Sequence, residues 1–582
     1  MEAQMKIAVH ITHESVKKMG GIGAVLSGVC NLEDYKRFYD KTIFYGPLFD
    51  LPADSFPHLG TTLERLFSSH DNYDAGDYAK KFGEIIKKYN VDIVYGKRKL
   101  VSDFDTTRST TVDVVNVGIN RMNHAEVEKF KFAVWKNFGI KSNLYEKDWD
   151  YEQYLRIAIP FLEILEKLYG SDAHYFYFSH EYMGVPSVLS ALMSGKKQTT
   201  VFVAHEVSPA RSLVENSPGH DISFYNILRK AEGPHKDLEH IFGSLSHNAR
   251  SELVKRAVKF DHIFAVGDLV KEEYQFLVPN TPPDKIKVVY NGVSAKSISF
   301  EHKQQSRAHI EKYIDSLYNF TPDVILTHVT RLVASKGIWR DISLLYFLDE
   351  IFDAQNLKGV YILLSTQIAT GRPSEDIFRM EDDYGWPVLH REGWPDLIGG
   401  EKEIYEYLQL FNSRSKAIKG VFINQFGFER ARCGKRVPEN AEFADIRIAS
   451  DAELGFSIYE PFGIAQIETI PYGGIAILSS SCGVAGFLKE KFKDAPIKPF
   501  CILDYIEAGR KMSYAALKNL TIHQRDLMEK EILSQHAKEI FDILPRTDAK
   551  REEYLLNAQK YASRISWENS AQDYVFGFNP ST

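Results

Sequence analysis

LGFSIYEPFGIAQIETIPYGGIAILSSSCGVAGF, residues 454–487, contains two short apolar runs, LGFSIYE and GIAILSS. Each is apolar on both faces, which is how a strand covered by helices on both sides reads. Between them Glu460 and Glu468 flank seven residues, starting at a strand end and running into a helix. Eight residues make about two helical turns, so both carboxylates can point toward one cleft. Gly463 in the turn, followed by Ile464, exposes backbone N–H groups where a phosphate can dock. A second glycine loop, SSCGVAG (480–486), follows the next run. Two glutamates at this spacing are common alone. Set as E-P-F-G-x-x-x-x-E between buried strands, the pattern is specific.

The same grammar extends outward in both directions. Toward the N-terminus lie KIAVHIT (6–12), VDIVYG (91–96), VDVVNVG (112–118), HYFYFS (174–179), TTVFVAH (199–205), DHIFAVG (261–267) and KVVYNG (287–292). Nearer the glutamate motif lie DVILTHVT (323–330), GVYILLS (359–365) and GVFINQ (420–425). Helical stretches alternate with them, among them 79–89, 157–170, 187–195 and 341–353. Strand–helix alternation of this kind predicts an α/β fold with parallel, doubly wound sheets. A chain of 582 residues is too long for one hydrophobic core, so two such domains are expected. The polar stretch 294–313 reads as the connection between them, giving domains at 1–300 and 301–545. Residues 371–445, rich in Trp, Pro and charge, read as an insertion, a lid or an oligomer contact. A helical tail over 546–582 is free to cross back to the first domain.

Composition narrows the function. With 44% apolar and 26% charged residues the chain is globular rather than disordered. A net charge of −7 argues against coating nucleic acid. The four cysteines, Cys30, Cys433, Cys482 and Cys501, show neither CxxC pairing nor zinc-ligand spacing, so a reducing, cytoplasmic setting and no structural metal are expected. No apolar run is long enough to span a membrane. DFD (103–105) and DWD (148–150) fit the Asp-x-Asp string of metal-dependent sugar transfer, but their flanks read as turns.

In open α/β sheets ligands bind beyond the carboxyl ends of the strands, so chemistry belongs in loops just after strands. KKMGGIGAVL (17–26) follows the first strand and opens a helix. Gly20 and Gly21 allow close backbone approach, the helix N-terminus favours a phosphate, and Lys18 supplies a mobile charge. A plain tight turn would read the same way. SHEYMGVPSVL (179–189) and VFVAHEVSPAR (201–211) each end a strand in His-Glu, placing His180, Glu181 and His205 at two strand ends. There a histidine can bond a polar ligand or serve as an acid or base. THVTRLVASKGIWRD (327–341) puts Arg331 and Lys336 after a buried strand, where two cations can clamp a departing diphosphate.

Taken together, these segments resemble, in order and over most of the chain, the retaining GT-B glycosyltransferases, and among them the glycogen and starch synthases. KKMGGIGAVL resembles their lysine-glycine-glycine loop, FSHEYMGVP their His-Asp/Glu-Trp segment and VAHEV their cleft histidine segment. VVYNGV, RLVASKG and YEPFGIAQIE resemble their Asn-Gly turn, Arg-Leu…Lys-Gly loop and glutamate motif. The resemblance implies two Rossmann-like domains facing a deep interdomain cleft. It implies that Arg331 and Lys336 hold the donor diphosphate, Glu460 the transferred sugar and Glu468 the ribose. His205 would lie beside the reacting sugar, Gly20, Gly21 and Lys18 over the phosphates, and Gly463 and Ile464 at the donor. His180 and Glu181 would line the acceptor side.

It implies no cofactor and no metal beyond the nucleotide-sugar substrate, a glucan or other sugar acceptor, and room for a homo-oligomer. Glu468, which the bacterial synthases usually lack, Tyr182 in place of Trp, and GHDISFYN (219–226), closer to animal and fungal glycogen synthases, leave donor base and acceptor open. A small acceptor, as in sucrose-phosphate synthases, and a non-catalytic glycan-binding scaffold are the alternatives. The second is disfavoured because Arg331, Lys336, Glu460 and Glu468 are all present.

Overall fold

The computed structural model describes residues 4–16, 20–49, 63–101, 108–231, 237–368, 377–384 and 397–578. The chain divides into two compact units. Unit 1 comprises Met1–Ala210, Glu232–Gly292 and Ser570–Thr582; unit 2 comprises Arg211–Ala231 and Val293–Asn569. A single boundary at residue 300 therefore misses a short segment, 211–231, that belongs with unit 2, and the end of the tail belongs with unit 1.

Unit 1 is built on a ten-stranded sheet. Its strands are β1 (Lys6–Ile11), β2 (Lys41–Pro47), β3 (Leu63–Ser68), β4 (Tyr73–Asp74), β5 (Asp92–Val101), β6 (Ser109–Gly118), β7 (His174–His180), β8 (Thr199–Ala204), β9 (His262–Ala265) and β10 (Ile286–Val288). They lie in the order β10-β9-β8-β7-β1-β2-β6-β5-β3-β4. From β10 to β6 every pairing is parallel. The far edge is not: β6–β5, β5–β3 and β3–β4 are antiparallel, so the sheet is parallel over most of its width with an antiparallel edge. The cause is connection length. β5 and β6 are joined by too few residues for a parallel crossover, which needs about a dozen or more.

Unit 2 carries a six-stranded, wholly parallel sheet. Its strands are β11 (Val324–Val329), β12 (Gly359–Leu364), β13 (Ile418–Ile423), β14 (Ala452–Gly455), β15 (Ile475–Ser479) and β16 (Phe500–Leu503), in the order β13-β12-β11-β14-β15-β16. Side chains alternate between faces. Leu326, Tyr361 and Leu363 pack on helices Ile338–Ala354 and Ile522–Ile543, through Leu345, Leu348, Leu533 and Phe541. Ile325, Val360 and Ile362 pack on the opposite face against Ile310, Tyr313 and Ile314. Those three belong to helix Phe300–Tyr318, so most of the stretch read as a polar connection is a packed helix of unit 2. Its apolar positions fall at 310, 313, 314 and 317, the spacing of one helical face.

Two further readings change. The helix expected over 157–170 starts later, as Phe161–Tyr169 with Pro160 at its N-cap, and a separate helix, Trp149–Ile157, precedes it. Within 371–445, helix Gly400–Arg414 and β13 complete a regular crossover into the sheet edge, so this part is framework rather than insertion. The rest of that segment lies partly outside the described residues. Among the described residues no helix is long and apolar enough to cross a membrane.

Candidate active site

Each sheet has a place among its parallel strands where strand order reverses. In unit 1 the chain proceeds from β1 to β2 on one side, and through β7, β8, β9 and β10 on the other, so the reversal lies between β1 and β7. In unit 2 it lies between β11 and β14. The loops leaving such neighbouring strands diverge and leave a crevice. Residues singled out from sequence lie at or beyond the ends of β1, β7, β11 and β14: Gly20 and Gly21, His180 and Glu181, Arg331 and Lys336, and Glu460 respectively.

In unit 2 the two crevice loops are tied together. Gly337, at φ +62°, sits so close to the β14 loop that a Cβ would meet Phe456 O at 2.2 Å. Only glycine meets both demands. Ile458 N donates to Ser335 O at 2.8 Å across the same junction. This approach brings Lys336 Nζ onto Glu460 Oε2 in an ion pair. Burial pushes the Glu460 carboxyl up, but Lys336, with Arg211 and Arg331 nearby, outweighs it and holds the group below the usual carboxylate range. Glu460 is thus a fixed, ionised acceptor surrounded by cations.

Arg331 stands exposed at the head of the loop. Arg211, which the sequence reading did not single out, donates to Ser335 Oγ at 2.8 Å and lies over the Tyr459 ring at 5.0 Å. Glu215 accepts from Ser335 N at 3.1 Å.

Glu468 lies after a 3-10 turn, Ala465–Ile467, rather than on the α-helix expected from its spacing. Arg447 holds it at 2.8 Å and holds Glu453 at 2.9 Å. Glu453 in turn accepts from Val329 N at 2.8 Å and from Thr327 Oγ1. Glu468 is therefore braced on one side and remains 18% exposed on the other. Gly463 at φ +103° has its Cβ position filled by Cys482 Sγ and Gln466 Oε1, both at 2.8 Å. The backbone N–H groups of Gly463 and Ile464 have no acceptor among the described residues. A cavity of 1310 Å³ in unit 2 is lined by Arg331, Arg211, Trp339, Tyr407 and Arg525 among others, whereas Lys336 and Glu460 are not among its walls.

In unit 1 the helix Gly21–Cys30 does start beyond β1. Its N-terminus is not vacant. Glu14 Oε2 accepts from Gly20 N at 2.9 Å and Gly23 N at 3.0 Å, so the protein's own carboxylate takes donors that a phosphate would use. Lys18 lies outside the described residues. Glu181 adopts φ +58° at the turn from β7 into helix Glu181–Met193, a conformation costly for a non-glycine residue. Its Oε1 accepts from Glu206 N at 2.6 Å, joining the ends of β7 and β8.

His180 and His205 are neighbours. His180 Nδ1 meets His205 Nε2 at 2.8 Å, and His180 Nε2 meets His10 Nδ1 at 2.8 Å. His10, inside β1, continues through Nε2 to Tyr35 Oη at 2.8 Å. Burial, with a smaller push from neighbouring histidines, lowers His10 and His205 to about 3 and His180 well below its ordinary value. All three are therefore held toward their neutral forms near pH 7. His10 was legible only as a polar residue in an apolar strand, KIAVHIT.

Of the two Asp-x-Asp strings, 103–105 lies outside the described residues. At 148–150, Asp148 caps a helix by accepting from Asp150 N at 3.0 Å, and Asp150 accepts from Tyr182 Oη at 2.6 Å and Arg250 Nε at 2.8 Å. Both are structural.

No family model matches the sequence, and no curated protein matches it. Among solved structures the chain is similar to trehalose-6-phosphate synthase OtsA, at 10% identity over 99% of both chains with a TM-score of 0.48. It is similar to the catalytic domain of starch synthase IV from Arabidopsis thaliana bound to ADP and acarbose, at 15% identity over 96% of this chain and 100% of that one, TM-score 0.46. A UDP-forming α,α-trehalose-phosphate synthase from Burkholderia vietnamiensis matches at 12% over 99% of both, TM-score 0.47. Likeness at this level carries neither family nor function.

Proposed function

We propose that the chain is a retaining GT-B glycosyltransferase that moves glucose from UDP-glucose or ADP-glucose to an α-glucan acceptor, in the manner of the glycogen synthases. The observation that supports this reading is the Lys336–Glu460 pair at the β11/β14 reversal, with Arg331 and Arg211 close enough to depress the carboxyl. Cations concentrated at one point beside an ionised acceptor suit a substrate with a diphosphate next to a sugar.

In this mechanism Arg331 and Lys336 neutralise the diphosphate as the bond from the anomeric carbon to its oxygen breaks. The acceptor hydroxyl attacks from the same face, forming the new glycosidic bond, and its proton passes to the departing diphosphate oxygen. Glu460 accepts hydrogen bonds from the transferred sugar, and the free side of Glu468 accepts from the ribose. Gly463 and Ile464 N–H groups face the donor; within unit 1, His205, His180 and Glu181 offer polar groups to a sugar.

The test is nucleoside diphosphate release from UDP-glucose and from ADP-glucose, each with and without glycogen. Glycogen-dependent release from one donor is expected. Release requiring a hexose phosphate instead would replace the acceptor, and no release from folded protein with either donor would sink the reading. Glu468→Ala is expected to weaken donor binding about tenfold, or ~1.4 kcal/mol, by calorimetry. An unchanged affinity would remove Glu468 from the ribose.

A further inference from the structure

The three histidines behind the β7 and β8 ends form more than a buried polar cluster. Their contacts, Tyr35 Oη–His10 Nε2, His10 Nδ1–His180 Nε2 and His180 Nδ1–His205 Nε2, are each 2.8 Å. A neutral imidazole has one N–H and one bare nitrogen, and each contact needs one of each. The rings therefore cannot choose independently. Either every ring carries its proton on Nδ1 or every ring carries it on Nε2.

The far end decides between the two states. Tyr35 is buried, and its oxygen already accepts from Thr42 Oγ1 at 3.4 Å. Its O–H must go to His10 Nε2 or to Cys30, which also lies beside it. Burial pushes the Cys30 thiol up to about 12, so it is a protonated sulfur and a weak acceptor. The imidazole nitrogen is the stronger one. With Tyr35 donating, His10 carries its proton on Nδ1, and so does each ring after it. Packing prevents the rings from turning to escape: His10 stacks on Phe178 at 4.7 Å and meets the edge of Phe44 at 5.8 Å, and His180 lies nearly parallel to His205 at 5.1 Å. At the near end, His205 is only partly buried and its Nδ1 has no partner among the described residues.

We infer that Tyr35, His10 and His180 are positioning residues that lock His205 in the Nδ1–H tautomer, so that it presents a hydrogen-bond donor, and not an acceptor, to a sugar oxygen. The word sugar rests on the function proposed above; the tautomer does not. The relay transmits one bit from a tyrosine at its buried end to the surface of the crevice. A donor there suits a ring or glycosidic oxygen, or a hydroxyl oxygen as acceptor, whereas the opposite tautomer would present a lone pair that only a hydroxyl's O–H could meet.

The experiment is nitrogen NMR on the full chain labelled with 15N-histidine, without substrate, with signals assigned by single His→Gln substitutions. In the wild type, His10, His180 and His205 are expected to show protonated Nδ1 and bare Nε2 shifts. In Tyr35→Phe the buried donor is gone, and the two His205 nitrogens are expected to move toward each other as the tautomers mix. Thr42→Val should leave them in place, because Tyr35 still donates. A wild-type His205 protonated on Nε2, or on both nitrogens, would overturn the relay. So would an unchanged His205 spectrum in Tyr35→Phe with a native melting curve. Should Tyr35→Phe not fold, the wild-type spectrum alone decides. The readout needs no turnover, so absence of transferase activity beside an Nδ1–H spectrum would remove the proposed function and keep the relay.

Discussion

Lys336→Ala is expected to lower kcat about 10²–10³-fold, the cost of losing one preorganised charge at a developing anion, while melting temperature moves little. Both members of the Lys336–Glu460 pair retain some exposure, 11% and 14% by side chain, and Arg211 and Arg331 still face Glu460 after the substitution. The carboxylate is not stranded, so the stability cost stays below the ~3–5 kcal/mol of leaving a buried charge unpaired. Turnover responds differently. A diphosphate leaving without Lys336 must carry charge that only Arg331 and Arg211 offset. Single-turnover kinetics with saturating donor separates this from weakened binding. A variant with wild-type kcat would remove Lys336 from the chemistry and leave the pair a structural one.

Arg340→Met is expected to have the opposite signature: a loss of about 3–5 kcal/mol in unfolding free energy. Arg340 is fully buried and reaches Asp221 at 2.6 and 3.1 Å and Glu529 at 2.6 Å, with the Tyr505 ring 3.8 Å below the guanidinium. Ser481 Oγ completes Asp221 at 2.7 Å, and Trp339 Nε1 completes Glu529 at 3.0 Å. Removing the cation leaves Asp221 charged in the interior and Glu529 held by Arg525 at 3.8 Å. Arg340→Lys should fail nearly as badly, since one ammonium cannot span the fork that the guanidinium fills. The check is the urea midpoint followed by tryptophan emission. A loss below 1 kcal/mol would mean that the carboxylates are solvated or protonated at little cost. Asp221→Asn in the Arg340→Met background should recover part of the loss, and the recovery measures their coupling.

Unit 2 was the more readable half. DVILTHVT, GVYILLS, GVFINQ and GIAILSS are continuous apolar runs, and each became a buried parallel strand. The strands overlooked were of other kinds. KTIFYGP (41–47) begins polar and ends in Gly-Pro, FCIL (500–503) is only four residues long, and the antiparallel edge at β3 and β4 is half exposed. Each lacks the length or two-sided apolarity that marks a covered strand. In the candidate site the loop residues were legible because loops after buried strands are where chemistry collects. What holds those residues was not. His10, Arg211 and Arg340 act through partners between 25 and 189 positions away, and no local spacing encodes such distances; Glu14 acts on backbone N–H groups, and Arg447 on two carboxylates whose pairing only the fold reveals.

The division of the chain also has a consequence for biosynthesis. Unit 1 is interrupted twice by segments of unit 2, and it receives Ser570–Phe578 only after all of unit 2 has left the ribosome. Those late residues are not trimming. Tyr574 offers its carbonyl to Tyr39 Oη at 2.8 Å and sets its ring against Phe178 at 5.7 Å and Phe264 at 5.6 Å. During synthesis, then, the nascent first unit waits with an aromatic face open across β7 and β9, a natural target for a chaperone, until Ser570–Phe578 emerge to cover it.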